Sequence, residues 1–159
     1  MKKINIRDLA EEPWLSPKGK FAGSSRELSI ALGRQPQSTD LRERHPFDVE
    51  ICRIPPGKSN FPYHSHSAQW EFYHVISGRG VVRHEAGTMV VEPGDTFLFK
   101  PDEPHQLTND GPEDLVLFLV ADNPLGESCH YPDSQKWLVC SPERRLIRSG
   151  SLDYYDGEE

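Results

Sequence analysis

Four side chains in this sequence have the types and spacing needed to hold a divalent metal ion: His64, His66, Glu71 and His105. On a strand, residues two apart face the same way, so His64 and His66 project together, as two ligands of one ion must. Residues 67–70 give the chain room to turn a corner and bring the Glu71 carboxylate in from the next strand. A third imidazole is available from His105, set at the corner Pro101-Asp102-Glu103-Pro104 and followed by Asn109. Neutral imidazoles with one carboxylate make a mixed nitrogen and oxygen set, which suits Fe, Mn, Ni, Zn or Co better than Ca. Four protein ligands leave open positions on a six-coordinate ion, and an open position is what metal catalysis requires.

The elements that must carry these ligands read as short strands. Phe47, Val49 and Ile51 alternate with Asp48, Glu50 and Cys52, and Pro55-Pro56-Gly57 ends the run. A strand is expected around 69–76, closed by Ser77-Gly78-Arg79-Gly80. Val81–His84 and Thr88–Val91 flank Glu85-Ala86-Gly87 as a hairpin. Pro93-Gly94-Asp95 makes the next turn, Thr96–Phe99 the next strand, and Leu115–Val120 a strand apolar enough for burial on both faces. With no room for crossover helices, this pattern means an antiparallel barrel or sandwich. Residues 1–45 form a polar arm expected to pack on a barrel over residues 46–122, and residues 123–159 form a C-terminal extension. In the arm, residues 25–33 fit a short helix stopped by Gly33 or a strand. The last ten residues, Gly150 to Glu159, read as a mobile acidic tail.

Parity sorts the remaining candidates. Tyr73 and Gln69 share the parity of Glu71 and are expected to face the interior, as contacts to a ligand residue or a substrate. His74 has the opposite parity and is expected to point outward. His45, His84 and His130 lack partners at ligand spacing. Arg53, Arg83 and Lys100 read as solvating charges, Phe97, Phe99, Leu117 and Phe118 as core, and Cys52 as a small buried hydrophobe.

Composition narrows the partners. The chain has 159 residues, enough for one domain, and carries 25 acidic against 18 basic residues for a net charge of −7. Such a surface repels phosphate backbones, so nucleic-acid binding is not expected. No apolar run reaches the roughly 20 residues of a membrane span. The start, Met1-Lys2-Lys3-Ile4-Asn5, has no apolar stretch behind it, and the odd set Cys52, Cys129 and Cys140 lacks metal-type spacing. A cytoplasmic protein with reduced thiols is the expectation.

The segment from Gly57 through His64, His66 and Glu71 to Gly78 resembles the first motif of the cupin superfamily. Pro93-Gly94-Asp95 followed by Pro101, His105 and Asn109 resembles the second, with Glu103 near the place where a glycine is common and one residue fewer before His105. Cys129-His130-Tyr131-Pro132-Asp133-Ser134 is similar to a Tyr-Pro-Asp segment found in a group of single-domain bacterial cupins, some provisionally labelled sugar-phosphate isomerases. The resemblance implies an all-β jelly-roll barrel of antiparallel strands, one divalent transition metal per chain and a homodimer. It also implies a small polar ligand. Three functions fit: a metal-dependent sugar or sugar-phosphate isomerase, an Fe(II) dioxygenase, or a cupin that binds a small molecule without turnover.

Overall fold

A computed structural model of the chain describes residues 1–36, 38–140, 144–148, 150 and 154–157. Its strands are β1 Glu12–Leu15, β2 Ala22–Glu27, β3 Phe47–Ile54, β4 Ser65–His66, β5 Glu71–Ser77, β6 Gly80–His84, β7 Gly87–Val91, β8 Thr96–Phe99, β9 His105–Thr108, β10 Leu115–Asp122, β11 Ser128–Tyr131, β12 Lys136–Val139 and β13 Arg145–Ile147. Two short α-helical turns, α1 Leu28–Ala31 and α2 Leu41–Arg44, and two 3-10 turns, Ile6–Asp8 and Pro132–Ser134, accompany them among the described residues. No described helix is long and apolar enough to cross a membrane.

The largest sheet has the order β1-β2-β3-β10-β5-β8, and the smaller ones run β13-β12-β11-β4 and β7-β6-β9. Every ladder between these strands is antiparallel. Bridges from Ser59 to Thr108 and from His64 to His105 join the two smaller sheets into one layer. Between the layers lies one core that takes Cys52, Ile54, Val75, Leu115 and Leu117 from the large sheet and Val82, Val91 and Leu107 from the other. The fold is all-β, as expected. The N-terminal arm joins it by hydrogen bonding, since β2 pairs with β3 and β1 with β2. Residues 25–33 combine both readings, with β2 running to Glu27 and α1 following it.

Two strands differ from the sequence reading in how they face. In β10, Leu115, Leu117 and Leu119 are buried, while Val116, Phe118 and Val120 lie half-covered on the outer face. The strand is central but buried on one face only, and Phe118 is not core. In β3 the alternation is real, yet Cys52 and Ile54 are buried and Phe47 is exposed. The interior face of β3 is therefore the one that carries Glu50.

At the turn after β5, Gly78 has φ of +80°, and a Cβ there would sit 2.3 Å from the carbonyl oxygen of Asp114. Only glycine lets β5 turn into β6 against that backbone. Of the acidic tail, Gly150 and residues 154–157 are described, with Tyr154 and Tyr155 in ring contact. The rest of the expected mobile tail lies outside the described residues.

Candidate metal centre

β4 presents His66, and His64 sits just before it, paired through backbone with His105 at the start of β9. His64 N–H donates to the His105 carbonyl at 3.1 Å, and His105 N–H returns a bond to the His64 carbonyl at 2.8 Å. Glu71 opens β5 on the facing layer. One donor atom each from His64, His66 and Glu71 lies within 4.8 Å of the others. His66 Nε2 is 3.5 Å from Glu71 Oε1, and His105 Nε2 is 2.8 Å from Glu71 Oε2. The structure thus brings all four sequence-predicted ligands together.

The corner before His105 works without the glycine common in similar sequences. Asp102 takes the left-handed conformation, φ +66°, which Asp tolerates better than most residues. Its N–H donates to the His66 carbonyl at 2.7 Å, and the Glu103 carboxylate accepts from Lys100 N–H at 2.9 Å.

Each imidazole has an oxygen at Nδ1. The acceptors are the Pro62 carbonyl for His64 at 2.8 Å, the Glu103 carbonyl for His105 at 3.0 Å and the Glu127 carboxylate for His66 at 3.3 Å. Because a carbonyl accepts only, Nδ1 carries the hydrogen in His64 and His105 and leaves Nε2 with a lone pair. His66 Nε2 and His105 Nε2 are buried with no hydrogen-bond partner, although Glu71 oxygens lie 3.5 Å and 2.8 Å from them. Buried polar atoms are nearly always partnered, so orphaned nitrogens converging on a carboxylate fit a cation between them.

The electrostatics are those of a site without an ion. Burial, with the His105 charge next, lowers the His64 pKa to about 4. Burial also opposes a charge on His66, but the neighbouring Cys129, Glu127 and Glu71 outweigh it and push the pKa up to about 12. Glu71 is held well below its usual range, its burial overcome by His105 and His66. Burial, then the Glu71 charge, raises Tyr73 well above its ordinary value.

Tyr73 faces the interior as expected, fully buried, and its hydroxyl donates to Glu71 Oε2 at 3.2 Å. Gln69 does not share that face. It precedes β5, so the strand parity does not apply, and its amide donates to the Asp122 carbonyl at 2.6 Å. His74 lies on the opposite face from Tyr73, against Thr96. His130 stacks on Trp137. Arg53 pairs with Glu11 and Asp114, and Arg83 pairs with Asp133, so neither is a free charge. Cys52 is fully buried, and burial pushes its thiol up.

Sequence reasoning missed two acidic features. Glu127, just before β11, is buried beside His66 together with Cys129. It is distant in sequence and carries no motif signal. Glu50 lies in a cross-strand row of interior positions, Glu27-Glu50-Leu119-Tyr73-Phe97, directly opposite Glu27. Burial, followed by the neighbouring Glu27, raises the Glu50 pKa to about 8.

A family model described as a cupin domain matches residues 50–121. The fold is similar to the crystal structure of a provisionally assigned sugar phosphate isomerase from Acidithiobacillus ferrooxidans. That chain is 25% identical, with a TM-score of 0.78 and coverage of 93% of this chain and 92% of the other. A sugar phosphate isomerase of the cupin superfamily from Silicibacter pomeroyi superposes with a TM-score of 0.77 at 23% identity, covering 98% of both chains. In sequence, an oxalate-binding protein of Thermotoga maritima is 29% identical over 68 residues, 43% of this chain and 55% of that protein. The chain spans about half the length of the curated relatives it matches.

Proposed function

We propose that this chain is a cupin that holds one divalent transition metal with His64, His66, Glu71 and His105 and acts on a small sugar or sugar phosphate as an isomerase. The observation that carries the metal part is the pair of buried, unpartnered nitrogens, His66 Nε2 and His105 Nε2, facing the Glu71 carboxylate. The isomerase part rests on the Acidithiobacillus structure, which spans nearly the whole chain. A divalent ion in this place supplies Lewis acidity toward a carbonyl or hydroxyl oxygen.

The chain's own residues supply the rest. Tyr73 keeps its proton, so it holds Glu71 and donates rather than abstracts. An aldose–ketose exchange also needs a group that takes up and returns a proton near neutral pH. Glu50 in the same interior has that property. Phe97 and Phe99 pack around Tyr73 and His105 and make one side of the site apolar.

The test is metal analysis of untagged protein, wild type beside His64→Ala and His105→Ala. Near-stoichiometric metal in the wild type, lost in both variants, is the expected result. Metal retained in either variant removes that residue from the ligand set. The oxalate-binding relative favours a second reading, a barrel that binds a small carboxylate without turnover. Deuterium uptake by sugar phosphates in heavy water separates the two, because only an isomerase exchanges a carbon-bound hydrogen. Oxygen uptake in the presence of iron would instead point to a dioxygenase.

A further inference from the structure

Three imidazoles meet at the centre, but they are oriented in two different ways. His64 and His105 each lean on a carbonyl two residues away in their own segment, Pro62 and Glu103. His66 has no such local acceptor. Its Nδ1 faces Glu127, which lies 61 residues away on the strand hairpin after the barrel.

Glu127 is built into that position. Only 8% of the residue is exposed. Its Oε1 accepts the Ser67 N–H at 2.9 Å and its Oε2 the Ala68 N–H at 3.0 Å, so both oxygens are anchored to the backbone that follows His66. β11 then pairs with β4 through Cys129↔His66 and His130↔Ser65. A carboxylate at Nδ1 fixes the hydrogen there, aims Nε2 into the site and raises the ring's basicity toward an ion. Cys129 Sγ also lies near the same nitrogen, at 3.4 Å, but a thiol is a weak acceptor and has no comparable anchoring.

We infer that Glu127 is a positioning residue for the metal centre: the C-terminal hairpin sets the orientation of His66, and with it the affinity of the barrel for its ion. This rests on the metal-centre reading above. One alternative use of the same atoms is a second ion, because donor atoms of His66, Glu127 and Cys129 lie within 4.8 Å of one another. The two backbone donors already on Glu127 favour the orienting role, since they leave little of either oxygen for a cation.

Co(II) titrated into metal-free, untagged, full-length protein tests the inference. The proteins are wild type, Glu127→Ala, Glu127→Gln and Cys129→Ala, each checked for folding by circular dichroism. One ion per wild-type chain is expected, with affinity roughly 10- to 100-fold weaker in Glu127→Ala. Glu127→Gln, which keeps an oxygen for Nδ1 and for one N–H, is expected to fall between, and Cys129→Ala near the wild type. In nitrogen–proton spectra of the Zn(II)-loaded protein, Glu127→Ala is expected to shift or lose the Nδ1–H signal of His66 alone. A general loosening of the fold would disturb His64 and His105 as well, and that pattern would overturn the positioning role. Wild-type affinity in both Glu127 variants would also overturn it while leaving the metal centre standing. No Co(II) bound by wild type would remove the metal centre and this inference with it. Two ions in the wild type, one of them lost with Glu127 or Cys129, would make the cluster a ligand set instead.

Discussion

The Tyr73 hydroxyl and His105 Nε2 meet on the same atom, Glu71 Oε2, at 3.2 Å and 2.8 Å. Tyr73 stacks flat on Phe97, with centroids 5.2 Å apart, so the phenol is held in place by core packing. Tyr73→Phe keeps that packing and deletes only the bond to the carboxylate. In thermal unfolding the metal-free protein is expected to be destabilised by about 1.5–3 kcal/mol, the net value of a hydrogen bond to a charged group. Metal affinity is expected to fall several-fold because Glu71 loses one of its restraints. An unchanged affinity by calorimetric titration would remove Tyr73 from the support of the centre.

Glu50 gives a pH dependence with a definite sign. Its pKa is raised in the folded chain to about 8, by burial first and then by Glu27, with Asp48 and Glu71 adding to the field. The Cys52 thiol and the Tyr73 phenol also face it, while Asp48 is offset by Arg34 at 2.8 Å. Between its unfolded value and about 8, the folded state binds the extra proton. The stabilisation is therefore present in full below the unfolded pKa and is lost as pH rises through the folded one, by at most about 1.4 kcal/mol per pH unit. Denaturant melts of metal-free protein from pH 5 to 9 are expected to show this decline, with the raised His66 adding to it in the upper part of the range, and Glu50→Gln to make it shallower without abolishing it. Parallel curves for the two proteins would show that Glu50 does not carry the proton.

Asn109 closes the corner behind His105. It is fully buried, and its side-chain amide donates to the carbonyls of Ile54 and Glu113 while its oxygen accepts from Gly111 N–H. Asn109→Ala strands these backbone groups, each at a cost of about 1–3 kcal/mol. A loss of several kcal/mol in chemical denaturation is expected, and an effect under about 1 kcal/mol would mean that water replaces the amide.

Gly78 and Asp102 both hold positive φ, but they are expected to respond in opposite ways. Gly78→Ala places a Cβ against the Asp114 carbonyl in a left-handed conformation and is expected to destabilise by more than about 1 kcal/mol. Asp102→Gly relieves strain at φ +66° and is expected to be near neutral. A Gly78→Ala variant with wild-type stability would mean that the turn rebuilds.

The candidate ligands were legible as a group because their signal is local. His64 sits just before β4, His66 ends it and Glu71 opens the next strand, and two-residue periodicity alone sorts Tyr73 inward and His74 outward. Two kinds of feature were not legible. Glu127 and Cys129 reach the site through the β11–β4 pairing, which joins segments about 60 residues apart and follows from no spacing rule. Glu50 was hidden by the facing of β3, where Phe47, Val49 and Ile51 look like the core face and lie outside. Periodicity reports that two faces differ without saying which one meets the other layer. Gln69 failed for a smaller reason: β5 begins at Glu71, so the parity count started two residues too early.

The reciprocal backbone bonds between His64 and His105 bear on how an ion would be captured. Two of the four proposed ligands are the paired ends of a single bridge, and Asp102 ties His66 to the same corner through its N–H. The chelating frame is thus assembled by the folding of the barrel, before any ion arrives. Capture then orders few torsions, so little conformational entropy is lost in the binding step. The amide hydrogens of His64 and His105 should exchange slowly with solvent whether or not the centre is loaded.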